Sequence, residues 1–217
     1  MAERPNPREA TSDGPVMRAI PIEDWDLVER VKAGQTEAFS TLVLKYQDRV
    51  FNTCWRICGH LEDARDVTQE AFLKAFENLA GFRHQSGFYT WIFRVAVNLS
   101  LTHRRSAKRR RMASLDEQAE SGGLQATELR RLAQAGSSDG PLEDSGGEDV
   151  QANVVQALNA LDDDHRAVVV LRDMEGFDYQ EIAEILGIPT GTVKSRLHRG
   201  RMAIREAIVP YIRSVNG

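Results

Sequence analysis

The chain has 217 residues, of which 28 are Lys or Arg and 32 Asp or Glu, with 41% hydrophobic and 7% aromatic; this suits one medium domain or two small ones with modest cores. No apolar run approaches the roughly 20 residues of a membrane helix, and Cys54 and Cys58 are the only cysteines, so neither a membrane span nor a disulfide framework is expected. The net charge of -4 argues against a nucleic-acid partner only if charge is evenly spread, so its distribution along the chain decides.

Residues 1–24 contain Pro and Asp and lack the apolar stretch of a signal peptide, so they read as an extension of a cytoplasmic protein. The first domain, 25–111, is expected to be helical. Thr36 is placed to cap a long helix whose Phe39, Val43, Tyr46, Val50, Cys54 and Ile57 share a face. Cys54 and Cys58 could suggest a metal site with His60, but zinc normally needs four ligands, and the pair reads as buried structural thiols. A second helix over 63–79 carries an apolar stripe of Val67, Ala71, Ala75 and Leu79, flanked by Phe72 and Phe76. Its Asp66, Gln69 and Glu70 form a polar stripe at i, i+3, i+4, which by pattern alone is a solvated face.

Beyond Gly81, the loop 82–87 leads into an aromatic helix from Phe88. Phe88, Trp91, Ile92, Val95 and Leu99 keep core spacing, while Thr90, Arg94 and Asn98 fall on another face. That face continues into six basic residues among the eight from 104 to 111, more than a solvated, dipole-compensating helix end requires. A basic helix beside a loop bearing His84, Gln85 and aromatics suits single-stranded nucleic acid, where cations track phosphate and planar groups stack on bases.

Residues 112–149 are rich in Gly, Ser and acids, and 112–152 hold nine acidic side chains against two basic. They read as a flexible acidic linker with a short helix near 127–134. In the second domain, 150–217, Asp162, Asp163, Asp164 and His165 point in different directions on a helix and read as a solvated helix start. Asp178 and Glu181 form a capping box opening a helix through Leu186, Gly187 to Pro189 break the chain, and Thr190 or Thr192 can cap the next helix. Two helices across such a turn describe a helix-turn-helix. In its second helix Val193, Leu197, Gly200 and Ile204 face inward, leaving Thr192, Ser195, Arg196 and Arg199 opposite, flanked by Lys194, His198 and Arg201. Residues 190–205 hold five bases and no acid while 173–184 hold five acids and no base, a sorting that suits a major groove.

The strings Asp63-Ala64-Arg65-Asp66-Val67-Thr68-Gln69-Glu70-Ala71-Phe72 and Phe88-Tyr89-Thr90-Trp91-Ile92-Phe93-Arg94-Val95-Ala96-Val97-Asn98, in this order, resemble region two of the extracytoplasmic-function (ECF) sigma factors of the sigma-E-like type. Gly187-Ile188-Pro189-Thr190-Gly191-Thr192-Val193-Lys194-Ser195-Arg196-Leu197 resembles region four of the same family. The resemblance covers about 25–105 and 150–212. It implies an all-α chain of two small helical domains joined by the linker, with no middle domain. It further implies that Asp66, Gln69 and Glu70 dock on the beta-prime clamp helices of core RNA polymerase, which holds the chain together with the beta subunit. His84, Gln85, Phe88, Tyr89, Thr90, Arg94 and Asn98 would capture the melted minus-ten element, and Thr192, Lys194, Ser195, Arg196, His198 and Arg199 would read the minus-thirty-five element. The linker would lie in the polymerase's RNA path, and an anti-sigma factor would sequester both domains.

No phosphate loop, nucleophile elbow or hydrolase motif is present in the sequence, so no catalytic residue, cofactor or metal is expected. The expected function is promoter-specific transcription initiation, of a stress regulon. A stand-alone helix-turn-helix regulator, whose first domain senses a ligand or dimerises, is the alternative left by the residues alone.

Overall fold

The computed structural model describes residues 22–83, 86–120 and 156–215, with side chains omitted at 22, 115–120 and 208–215. The described residues are helical, with no strand among them. The first unit consists of α1 (Ile22–Lys32), α2 (Glu37–Cys58), α3 (Leu61–Asn78) and α4 (Phe88–Glu120), with a 3-10 turn at Leu79–Gly81. The second consists of α5 (Asp163–Val169), extended by a π-helical turn at Val170–Met174, then α6 (Tyr179–Leu186) and α7 (Thr190–Val215). The expected helix near 127–134 and most of the expected linker lie outside the described residues.

In the first unit α2 is the central element. Its buried Phe39, Leu42, Tyr46, Val50, Cys54 and Ile57 recur at three- and four-residue spacing and meet Ala64, Val67, Ala71 and Phe72 of α3 and Phe88, Ile92, Phe93 and Ala96 of α4 in one core. Both cysteines belong to that core, and burial raises both thiols, Cys58 to about 12, so the thiolate a metal would need is disfavoured. Thr36 stands at the N-terminal boundary of α2 but has helical dihedrals and makes no side-chain cap, a correction to the expected role. α1 was not foreseen. Its Asp24, fully buried, accepts hydrogen bonds from Tyr46 Oη and from Lys45 Nζ at 2.7 Å, and burial followed by that carboxylate raises the Tyr46 phenol.

α4 continues through Glu120, into the segment expected to be linker from 112. In the second unit the capping box forms as expected. Asp178 Oδ1 accepts from the backbone of Gln180 and Glu181 at 2.8 Å each, and Glu181 Oε2 accepts from Asp178 N at 2.8 Å. Gly187 ends α6 with φ 65°, the left-handed geometry that suits glycine. Neither Thr190 nor Thr192 caps α7: the helix already contains both, and the Pro189 carbonyl takes its first bonds from Thr192 N and Val193 N. Gly200 lies where α7 crosses α5, and a Cβ there would come within 2.7 Å of Val169 Cγ2.

Candidate nucleic-acid interface

On α3 the apolar and polar stripes separate as the sequence predicts. Ala64, Val67, Ala71 and Ala75 are buried, and Asp66, Gln69 and Glu70 are exposed together. The structure adds Leu73, 55% exposed one turn beyond Glu70, and Phe76 at 39%. An apolar side chain standing in a polar stripe was the signal available for Leu73. Glu70 also pairs with Lys74 at 2.7 Å, which fixes its position along the helix.

α4 divides the expected minus-ten residues. Phe88 is 1% exposed and packs against Phe39, Phe82 and Trp91, so it belongs to the core rather than to a nucleic-acid surface. Thr90 is buried at 6% and offers no surface either. Tyr89 is buried for a different reason, since its ring stacks at 4.9 Å on Phe177 of the second unit. Arg94 is half-buried and Asn98 exposed, and the face they begin runs on through Thr102, which the sequence reading did not include, to Arg105 of the expected basic run. His84 and Gln85 lie outside the described residues.

On α7 Val193, Leu197 and Gly200 face inward, which leaves Lys194, Ser195, His198 and Arg199 exposed. Thr192 and Arg196 are half-buried, and Arg196 is held at 2.7 Å by Asp164 of α5. The outward face is therefore rotated toward Lys194 and His198 relative to the expected one. Arg201, beside it, pairs with Asp173 at 2.5 Å.

Family models for "Sigma-70 region 2" and "Sigma-70, region 4" match residues 42–110 and 151–204. The chain is 37% identical over 191 residues to the RNA polymerase sigma-H factor of Pseudomonas aeruginosa, covering 88% of this chain and 96% of that protein. It is also 37% identical over 198 residues to the ECF RNA polymerase sigma-E factor of Escherichia coli K12, with 88% and 97% covered. The chain belongs to the ECF sigma-factor family. Among solved structures the fold is shared, at TM-score 0.59 and 23% identity, by CnrH in complex with the cytosolic domain of CnrY, covering 87% of this chain and 98% of that one. The sigma factor RpoE of Bartonella quintana, in complex with the anti-sigma factor NepR, matches at the same TM-score and identity over 77% and 94%.

In this sigma factor α3 and α4 thus lie in region two, and α6 and α7 are the helix-turn-helix of region four. The two regions are packed together. Phe177 is fully buried between Tyr89 and Phe93, at 4.9 and 5.1 Å. Arg166 of α5, also fully buried, donates to the Ile57 carbonyl at the end of α2 at 3.0 Å and to Asn159 Oδ1 at 2.7 Å. Burial, followed by the neighbouring Arg104 guanidinium, lowers Arg166 to about 9, so it remains a cation at neutral pH on the carbonyl end of α2. Between the regions a cavity of about 360 Å³ is lined by Asn98, Thr102 and Arg105 of α4 and by Leu186, Ile188 and Arg196 of the helix-turn-helix.

Proposed function

We propose that this sigma factor recruits core RNA polymerase through the α3 face of Asp66, Gln69, Glu70 and Leu73 and directs it to the promoters of a stress regulon. The observation that carries the reading is the exposure of these four side chains on one side of a helix whose other side is core, so that their identities serve no internal packing. In the same reading Arg94, Asn98 and the loop with His84 and Gln85 read the melted minus-ten strand. Lys194, Ser195, His198 and Arg199 read or clamp the minus-thirty-five duplex, with Thr192 and Arg196 at the edge of that surface. The domains are 25–111 and 150–217, and the acidic residues between them pass through the polymerase's RNA path. The protein works in the cytoplasm with no catalytic residue of its own; no described helix is long and apolar enough to cross a membrane. Its regulator is an anti-sigma factor that engages both regions; the Bartonella quintana sigma factor of the same fold was solved in complex with one.

The test is a titration against core polymerase. Replacing Asp66, Gln69 and Glu70 together by Ala should leave the helical content unchanged, because exposed substitutions cost under about 0.5 kcal/mol. Core affinity should fall more than about tenfold, or roughly 1.4 kcal/mol, as expected for loss of a charged interface. Unaltered affinity would remove α3 from the docking surface.

A further inference from the structure

The two regions do not fill the space between them. The cavity of about 360 Å³ lies at the small end of the range of ligand sites, about 300–1,000 Å³, and its lining is chemically divided. One part is charged: Arg105 of α4, Arg196 of α7 and a single carboxylate, Asp164 of α5. Asp164 Oδ1 lies 3.3 Å from Arg105 Nη2, and its Oδ2 lies 2.7 Å from Arg196 Nη2. One acid thus answers two guanidiniums, each through one terminal nitrogen. Neither arginine makes another hydrogen bond or ion pair among the described residues. Because a guanidinium carries five N–H donors in a planar fork, most of the donors of both groups are left over. The lining therefore holds one positive charge in excess, on two groups whose geometry suits a phosphate.

The rest of the lining is of another kind. Leu101 is buried and Leu186 and Ile188 partly so, which gives the cavity an apolar wall that can shelter a ring from water. Asn98 adds an exposed amide that donates and accepts at once. Two cations, an apolar wall and one amide are the complement of a phosphate, a ring and a polar ring edge joined in one small molecule.

We propose that the cleft binds a nucleoside monophosphate, its phosphate held by Arg105 and Arg196 and its base against Leu101, Leu186 and Ile188 with one edge toward Asn98. Asp164, whose side chain is 42% exposed, turns to solvent as the phosphate takes its place. The contacts come from both regions, so the ligand is held in full only while they are packed together, and by linkage it opposes their separation. At a hundred times its dissociation constant it favours the packed chain about a hundredfold. Parting of the regions then responds to nucleotide supply without a partner protein. The site follows from its lining alone; its effect on promoter opening rests on the assignment of Asn98 to the melted strand, since one amide cannot serve both ligands.

The test is equilibrium dialysis of the full chain, without polymerase, against radiolabelled GMP at low salt. The wild type should bind one GMP per chain with a Kd below about 1 mM. Binding should be at least about tenfold tighter than that of inorganic phosphate or of guanosine, each of which uses only part of the lining. Arg105→Gln and Arg196→Gln should each weaken GMP about tenfold or more, through loss of a charged hydrogen-bond donor. Ile188→Phe, which fills the cavity from region four, should do the same; Thr102→Trp, at an exposed position of the lining on α4, replaces it if Ile188→Phe loses helicity. Arg205→Gln, the same charge loss at an exposed position of α7 outside the lining, should bind as wild type does. GMP should also raise the melting temperature of the wild type but not of Arg196→Gln. GMP binding no tighter than that of phosphate overturns the proposal. So does GMP binding that both Arg196→Gln and the cavity-filling variant leave unchanged, because the nucleotide would then sit on region two alone. Failure of the strand-reading assignment would appear separately, as Asn98→Ala opening duplex promoters at the wild-type rate, and would leave wild-type GMP binding in place.

Discussion

Arg196 and Arg199 sit one turn apart on α7 yet are in different situations. Arg199 is exposed, and Arg196 is half-buried against Asp164. An arginine whose fork is already engaged by a carboxylate is pre-oriented and must exchange that partner for a base or a phosphate, whereas a free one pays side-chain entropy instead. Arg199→Ala should therefore weaken minus-thirty-five binding directly, by about 1–3 kcal/mol with relaxed preference at one position if it reads a base, or evenly across sequences if it holds phosphate. Arg196→Ala should cost less in the free protein, because it also releases Asp164. Competition binding against a set of single-base operator variants distinguishes these outcomes. If the double Ala variant binds every sequence as wild type does, α7 is not the reading helix. The contrast between the two arginines could not be read from the sequence, where both occupy one face by spacing; it arises from Asp164, more than thirty residues away on another helix.

At the scale of the element, α4 shows what periodicity reveals and what it hides. Its core spacing was legible: Phe88 and Ile92 are buried, with Trp91, Val95 and Leu99 partly buried against the core. Asn98 is exposed on the other face as expected. Phe88 and Thr90, given to the minus-ten element by the resemblance, are turned inward by the register of the helix, as the core spacing of Phe88 already indicated. Asn98→Ala should leave core binding and closed-complex formation intact, because an exposed amide supports no packing. It should reduce permanganate reactivity of the melted strand, because the amide that both donates and accepts toward an extruded base is gone. The double variant His84→Ala, Gln85→Ala should behave alike, and a premelted minus-ten bubble should partly rescue both. Opening of duplex promoters at the wild-type rate would take Asn98 and the loop out of the strand-reading surface. Caps show the same contrast: the Asp178 box, with both partners within three residues, forms as written, while the isolated Thr36 does not cap.

For the whole molecule, composition and motif order were enough to give two helical units, because each unit's core follows local period. Their apposition was not legible. The pair Arg49–Glu175 joins residues 126 apart, and no local period connects them. The acids of 173–184 could be recognised as a cluster but not assigned a counterpart across the cleft. Buried Asp24 and Arg166 escaped notice for the same reason, since a charged residue at the edge of a helix looks solvated until the fold supplies its partners. The central claim is nevertheless simple to test: purified core polymerase, with and without the full chain, is given a pool of duplex promoters and its transcripts are sequenced. The account predicts new, discrete start sites that depend on the chain, fall downstream of a shared minus-thirty-five element, and disappear when Asp66, Gln69 and Glu70 are replaced by Ala. Tight binding of the chain to duplex DNA without any new start site would contradict it and favour a stand-alone regulator.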